Sequence, residues 1–272
     1  LKKTFMLILA LTIFLFTVVP VQAGINASNS LSGVQLFPPD NIWNAPINTL
    51  PVDSRSNMYI NSMGTSPFLI YTETYYNVLD NTGGIVPQYL TNILWPGSSD
   101  NILYPIPDPV RMHPTDTDQV LRIYDRGTNY YYDFYHAVKA ENGTWSAWQA
   151  NYHNMSSNEI RPGKTIPNIQ GNFRYDEIAS GSIHHAIQAT VRHTNKSSVW
   201  PYYYTLENYT NGTFPPVGQR FRLKSSVNIS AYPPMSKAIA QAMKTYGLIV
   251  TDQHGPYPGI QIIGLQDPKW CS

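Results

Sequence analysis

Apolar residues fall at alternate positions along most of this chain, the period of a strand with one buried face. VLRIYD (120–125), NYYYDFYHAVK (129–139), TWSAWQANY (144–152) and SIHHAIQATVRH (182–193) are such segments. FLIYTE (68–73), GIVPQYL (84–90), VWPYYYTL (199–206), RFRLKSSV (220–227), LIVTD (248–252) and GIQIIG (259–264) are further strand-like runs bounded by turn residues. PPMSKAIAQAMKTYG (233–247) has a helical period instead. Its Ile239, Ala242, Met243 and Tyr246 recur at helical spacing, and Gly247 closes it. SRSNMYINSMG (54–64) reads as a short helix ended by Gly64. The segment 37–53 is turn-rich, with Trp43 and Ile47 as anchors, and 91–119 is a Pro- and Asp-rich loop too long for an idle connection. The pattern predicts one mainly-β domain over 37–272, a β-sandwich of jelly-roll or lectin-like type with one late α-helix.

The first residues do not follow this pattern. Lys2 and Lys3 precede an apolar run from Phe5 to Val19, and Val21-Gln22-Ala23 resembles a cleavage site, so 1–23 reads as a secretory signal peptide. A retained anchor is the alternative, but the run is short for a bilayer span. Residues 24–36 are rich in Asn, Ser and Gly and read as a flexible leader.

Composition narrows the function classes. Only 13% of the 272 residues are charged, whereas tyrosine alone numbers 20, which fits a compact extracellular protein rather than a disordered one. Without Lys2 and Lys3, 16 basic residues face 17 acidic ones, and no basic block exists to bind nucleic acid. Cys271 is the only cysteine, so no internal disulfide braces the fold. N-x-S/T sequons occur at Asn26, Asn142, Asn154, Asn195, Asn208, Asn211 and Asn228 and predict a glycosylated surface. Export, these sequons and the Leu1 start point to an archaeal protein, secreted or held at the cell envelope, with no membrane association after cleavage.

Candidate chemistry concentrates in two segments. In NYYYDFYHAVK, Tyr131, Asp133 and Tyr135 share one strand face; tyrosines flanking a carboxylate suit a sugar, with rings over C–H faces and the acid at hydroxyls. A solvated face with a Tyr–Asp hydrogen bond is the plainer alternative. In RYDEIASGSIHHAI, alternation puts His185 on the apolar face and His184 on the polar one. His185 is then either an acid–base or orienting group or a core histidine bonded to a backbone carbonyl.

Two carboxylates across a scissile bond make a glycosidase, and Asp133 with Glu177 is the candidate pair. Arg174, Tyr175 and His185 supply the residue types of a polysaccharide lyase. Asp252, at a strand end before a loop, is a further substrate-binding candidate. Asp116 and Asp118 could ligate calcium but lack the Gly and Glu of a known loop, so no cofactor is assigned. No H-E-x-x-H, G-x-S-x-G or glycine-rich phosphate loop is present.

Several motifs together resemble a scattered family of secreted, largely uncharacterised proteins of bacteria, archaea and some eukaryotes. They are DNIWNAPINTLPVDSRSNMYI, YDFYHA with TWSAWQANY, RYDEIASGSIHHAI, PPVGQRFRLKSSVNIS and MKTYGLIVTD. The matching positions are Asp133 to Ala137; Glu177, Ile178, Gly181, Ile183, His185 and Ala186; and Tyr246, Gly247 and Asp252. The resemblance spans most of 37–270 and implies no particular activity. In the resemblance, relatives continue past PKWCS, which leaves both a complete and a truncated C-terminus open. The expectation is therefore a carbohydrate-active enzyme, a glycoside hydrolase or polysaccharide lyase, with a non-catalytic envelope or glycan-binding protein as the alternative.

Overall fold

The computed structural model describes residues 31, 33–64, 66–80, 85–210, 212–256 and 259–271. The expected signal peptide and the leader as far as residue 30 lie outside them.

In chain order the first strands are β1 (Leu69–Thr74), β2 (Asn77–Leu79), β3 (Asn92–Ile93), β4 (Leu121–Asp125), β5 (Tyr130–Tyr135) and β6 (Val138–Lys139). Then come β7 (Trp145–Ala147), β8 (Gln149–Asn154), β9 (Ile187–Val191), β10 (Arg220–Phe221), β11 (Leu248–Gln253) and β12 (Ile260–Leu265). The α-helices are α1 (Ser56–Met63), α2 (Tyr175–Ser180) and α3 (Pro234–Thr245). Strands form a sheet of five in the order β1-β12-β9-β11-β10, one of four, β2-β4-β5-β8, and one of three, β3-β7-β6. The class is mainly β, as expected.

Both larger sheets mix directions. β9 and β11 are parallel, and the long connection between them carries α3, since a parallel return needs a crossover. α3 and α2 cover one face of the five-stranded sheet, burying Ile178, Ile187, Ala189, Ala242, Met243, Leu248 and Ile262 together. The other face looks across the main core toward the four-stranded sheet, where Val78, Tyr124, Tyr131, Ile249 and Leu265 meet.

Several sequence expectations need correction. Among the described residues there are three α-helices: the late helix and the one at 54–64 lie where the sequence puts them, and α2 is unexpected. The segment 182–193 is strand only from Ile187, and α2 precedes it. VWPYYYTL forms no strand, and the described part of GIVPQYL keeps a single bridge, Gln88 to Tyr104; each contains a proline, which has no N–H for a ladder. RFRLKSSV is strand only at Arg220 and Phe221. The expected leader joins the fold from Leu31: Leu31 and Leu36 are fully buried, and the Arg174 guanidinium donates to the carbonyls of Leu31 and Val34.

Candidate functional site

A polar cleft of about 390 Å³ opens between the facing sides of the two larger sheets. Strand register explains what lines it. In the antiparallel β4-β5-β8 part of the four-stranded sheet Asp133 lies opposite Arg122 on one side and Asn151 on the other, and Tyr131 lies opposite His153. Directly opposed residues share a face, so Arg122, Tyr131 and Asp133 all turn to the cleft while Tyr132 and Phe134 turn away into a separate core. From the five-stranded sheet come Gln188 and Thr190 of β9, Gln261 of β12 and Asp252 of β11.

Asp252 reaches the cleft because its strand is irregular. Simple alternation would put it with Leu248 and Val250, which pack on the helix-covered side. Instead the pairing shifts between Val250, opposite Ala189, and Asp252, opposite Thr190. An extra residue at Thr251 re-aims the side chain, as bulges commonly do beside functional sites. Asp252 is open to the water of the cleft, yet protein crowding around its carboxyl desolvates it and raises its pKa; the charge of Asp118 adds to this, and the Gln253 backbone N–H and Arg122 oppose it. Gln253 N donates to Asp252 Oδ1 at 2.8 Å.

Asp133 is held differently. Its Oδ1 lies 3.0 Å from His153 Nε2 and 3.0 Å from the Thr165 hydroxyl. That hydroxyl is also 3.0 Å from Asn151 Oδ1, so one buried cluster fixes the carboxylate on β5. Asp116 and Asp118 enter from the preceding loop. Asp118 Oδ1 accepts the Tyr135 hydroxyl at 3.3 Å, and Asp116 Oδ1 accepts the Asp118 backbone N–H at 2.9 Å. Burial and the neighbouring Asp118 raise the Tyr135 pKa, and burial foremost raises that of Tyr131. Among the described residues no group of three or more His, Cys, Asp or Glu side chains is arranged to hold a metal ion.

Neutral polar groups complete the lining. Asn172 Nδ2 donates to Gln188 Oε1, and Thr190 Oγ1 donates to Gln261 Oε1 at 3.2 Å. Each amide keeps a second polar atom, so the wall offers both donors and acceptors.

The remaining sequence candidates lie elsewhere. Glu177 is in α2; its Oε2 accepts the Arg174 backbone N–H at 2.9 Å, and its Oε1 is 3.4 Å from the Arg174 guanidinium and 3.2 Å from His185 Nε2. Burial alone would raise the Glu177 carboxyl, but His185 and Arg174 outweigh it and hold it below the usual value. His185 is 1% exposed, and its Nδ1 lies 2.8 Å from the Ala186 carbonyl. Tyr175 packs edge-on against Trp270, with ring centres 5.0 Å apart. None of these four lines the cleft.

The structure thus brings Asp133, Tyr131 and Asp252 together, with Tyr135 reaching in through Asp118, and sets Glu177, His185 and Arg174 apart as a network joining α2 to the start of the fold, with Tyr175 against Trp270. The sequence reading passed over Arg122, His153, Thr165 and Asn172. Gln188 and Thr190 carried a signal, since they occupy the polar face of an alternating strand. The chain matches no family model, no curated protein and no solved structure.

Proposed function

We propose that this is an exported glycoside hydrolase acting on a neutral extracellular polysaccharide. One observation carries the reading: Asp252, with its raised pKa, shares a cleft with Asp133, a carboxylate fixed by His153 and Thr165. A carboxyl biased toward its protonated form beside a second, hydrogen-bonded carboxylate is an arrangement that acid and base roles can use. Asp252 would keep a proton to give to the leaving oxygen, and Asp133 would serve as nucleophile or base. Asn172, Gln188 and Gln261 would address sugar hydroxyls, and Tyr131 would flank the acid as the alternating strand anticipated.

The charge of the cleft favours hydrolysis over elimination. Four aspartates, at 116, 118, 133 and 252, face Arg122 there. A polyuronate would meet net repulsion, whereas a neutral glycan would not. The same proposal takes the two larger sheets as the layers of a lectin-like sandwich and assigns the protein to the cell exterior.

The test uses purified protein on neutral and acidic polysaccharides, following reducing ends and the ultraviolet absorbance of unsaturated uronates. Reducing ends without absorbance are expected, and Asp252→Asn or Asp133→Asn should each lower kcat by about 10²–10⁴-fold. Absorbance from a uronate polymer would turn the assignment to a lyase. Silence on every polymer with binding retained would leave a non-catalytic glycan-binding or envelope protein.

A further inference from the structure

We propose that the glycan chain continues out of the cleft onto a second subsite, an aromatic step formed by Trp95 and Trp148 that takes neutral pyranose rings. This inference rests on the cleft being a carbohydrate site.

Trp95 and Trp148 are 43% and 38% exposed, whereas Trp43 and Trp145 are buried in the core. Neither indole is loose. Trp95 stacks on Tyr135 with ring centres 5.7 Å apart and planes 23° apart. Trp148 stacks on His136 at 4.0 Å, also at 23°. Each indole therefore has one face backed by another ring and surface left over for a ligand. The two indoles lie 5.6 Å apart with planes 59° from each other, a step rather than a flat shelf. Such a step suits two successive sugars of a twisting soluble chain and not the flat face of a crystalline polymer.

The backbone fixes the same geometry. Trp95 N donates to the Trp148 carbonyl at 2.8 Å, and Trp148 N donates to the Tyr135 carbonyl at 2.9 Å. His136 has a positive φ of 56°, a left-handed conformation uncommon outside glycine, and this ends β5 where its ring lies against Trp148. Strained residues of this kind concentrate at functional sites. A platform already in place pays little ordering entropy when a ligand stacks on it.

Continuity with the cleft identifies the occupant. The Tyr135 hydroxyl donates to Asp118, and the backbone N–H of His136 donates to the Asp118 carbonyl at 2.9 Å. Asp118 lines the cleft. One residue thus belongs to the cleft wall and braces the step, so a chain leaving the cleft past Asp118 meets the indoles next. Pyranose C–H faces stack on aromatic rings, and the acidic cleft selects a neutral polymer.

Native electrophoresis in gels cast with mixed-linkage β-glucan, galactomannan, arabinoxylan or soluble starch tests the subsite. An Asp252→Asn parent keeps the gel from being digested. At least one polymer should retard this parent, and adding Trp95→Ala or Trp148→Ala should weaken the interaction about two- to tenfold each. Trp95→Tyr should restore most of it, because a flat ring remains. Retardation unchanged in the alanine variants overturns the inference, as does a parent that no gel retards. Retardation that depends on the indoles, with no reducing ends released by wild type, upholds the subsite and rejects the hydrolase. Hydrolysis of a long polymer that ignores both substitutions does the reverse.

Discussion

At the scale of single residues, two carboxylates separate function from framework. Crowding around the Asp252 carboxyl outweighs the Gln253 backbone N–H and Arg122, so its pKa rises; Glu177 is desolvated too, but His185 and Arg174 pull its pKa down. The linkage signs are opposite. A raised carboxyl gives stability that is present at low pH and lost as pH climbs through its folded pKa. Asp252→Asn should therefore leave thermal stability at neutral pH unchanged or slightly higher while removing the activity, and the high-pH limb of kcat/KM that reports Asp252 deprotonation should vanish with it. Glu177 gives stability that is present above its unfolded pKa and lost as pH falls through the lower folded value. Glu177→Gln leaves buried Arg174 and His185 without their anion, a loss of about 3 kcal/mol in urea unfolding at neutral pH. Activity per folded molecule should survive. An inactive but fully stable Glu177→Gln protein would return Glu177 to the catalytic machinery.

At the scale of elements, legibility followed how long each pattern ran. β5 alternates over Tyr130–Tyr135, and the face assigned to Asp133 from that alternation is the one it occupies. α3 runs for 12 residues, enough for its period to show. α2 runs for only 6, and Arg174 stands where a helix usually begins with Ser, Thr, Asp or Asn. Nothing local therefore marks Glu177 as a helix-capping residue, and the apolar residues after it extend the expected β9 strand too far forward. The cleft position of Asp252 was beyond alternation altogether, because a bulge at Thr251 reverses the side on which it points. Close packing under the cleft is testable at Gly171. A Cβ there would collide with the Trp43 ring and touch Gln188 Cβ at 3.0 Å. Gly171→Ala should cost about 1–3 kcal/mol, measured as a lower urea midpoint with an unchanged m-value.

At the scale of the whole molecule, sheet pairing decides what the surface can carry. Register and sheet order joined segments as distant as β1 and β12, and no local pattern announced those partners. The same long-range packing sorts the sequons, which the sequence presents as equivalent. Among the described residues Asn142, Asn154, Asn208 and Asn228 are exposed, the first in the turn between β6 and β7, while Asn26 and Asn211 lie outside the described residues. Asn195 is 7% exposed; its Nδ2 donates to the Phe214 carbonyl at 2.7 Å, and its Oδ1 accepts the Ser197 hydroxyl. A glycan needs that same amide nitrogen and room outside it, so attachment to the folded chain would break the bond and open the packing around Phe214. Peptide mass spectrometry of protein secreted from a glycosylating host should find glycan on some or all of the four exposed sites and none on Asn195. Replacing Asn195 by Asp should leave the glycosylated mass unchanged and lower the unfolding temperature, because a carboxylate cannot donate to the Phe214 carbonyl. A glycan on Asn195 in folded, secreted protein would mean that the segment around Phe214 is added after modification, and the cluster of His193, Tyr209 and Phe214 would then have to assemble around the sugar.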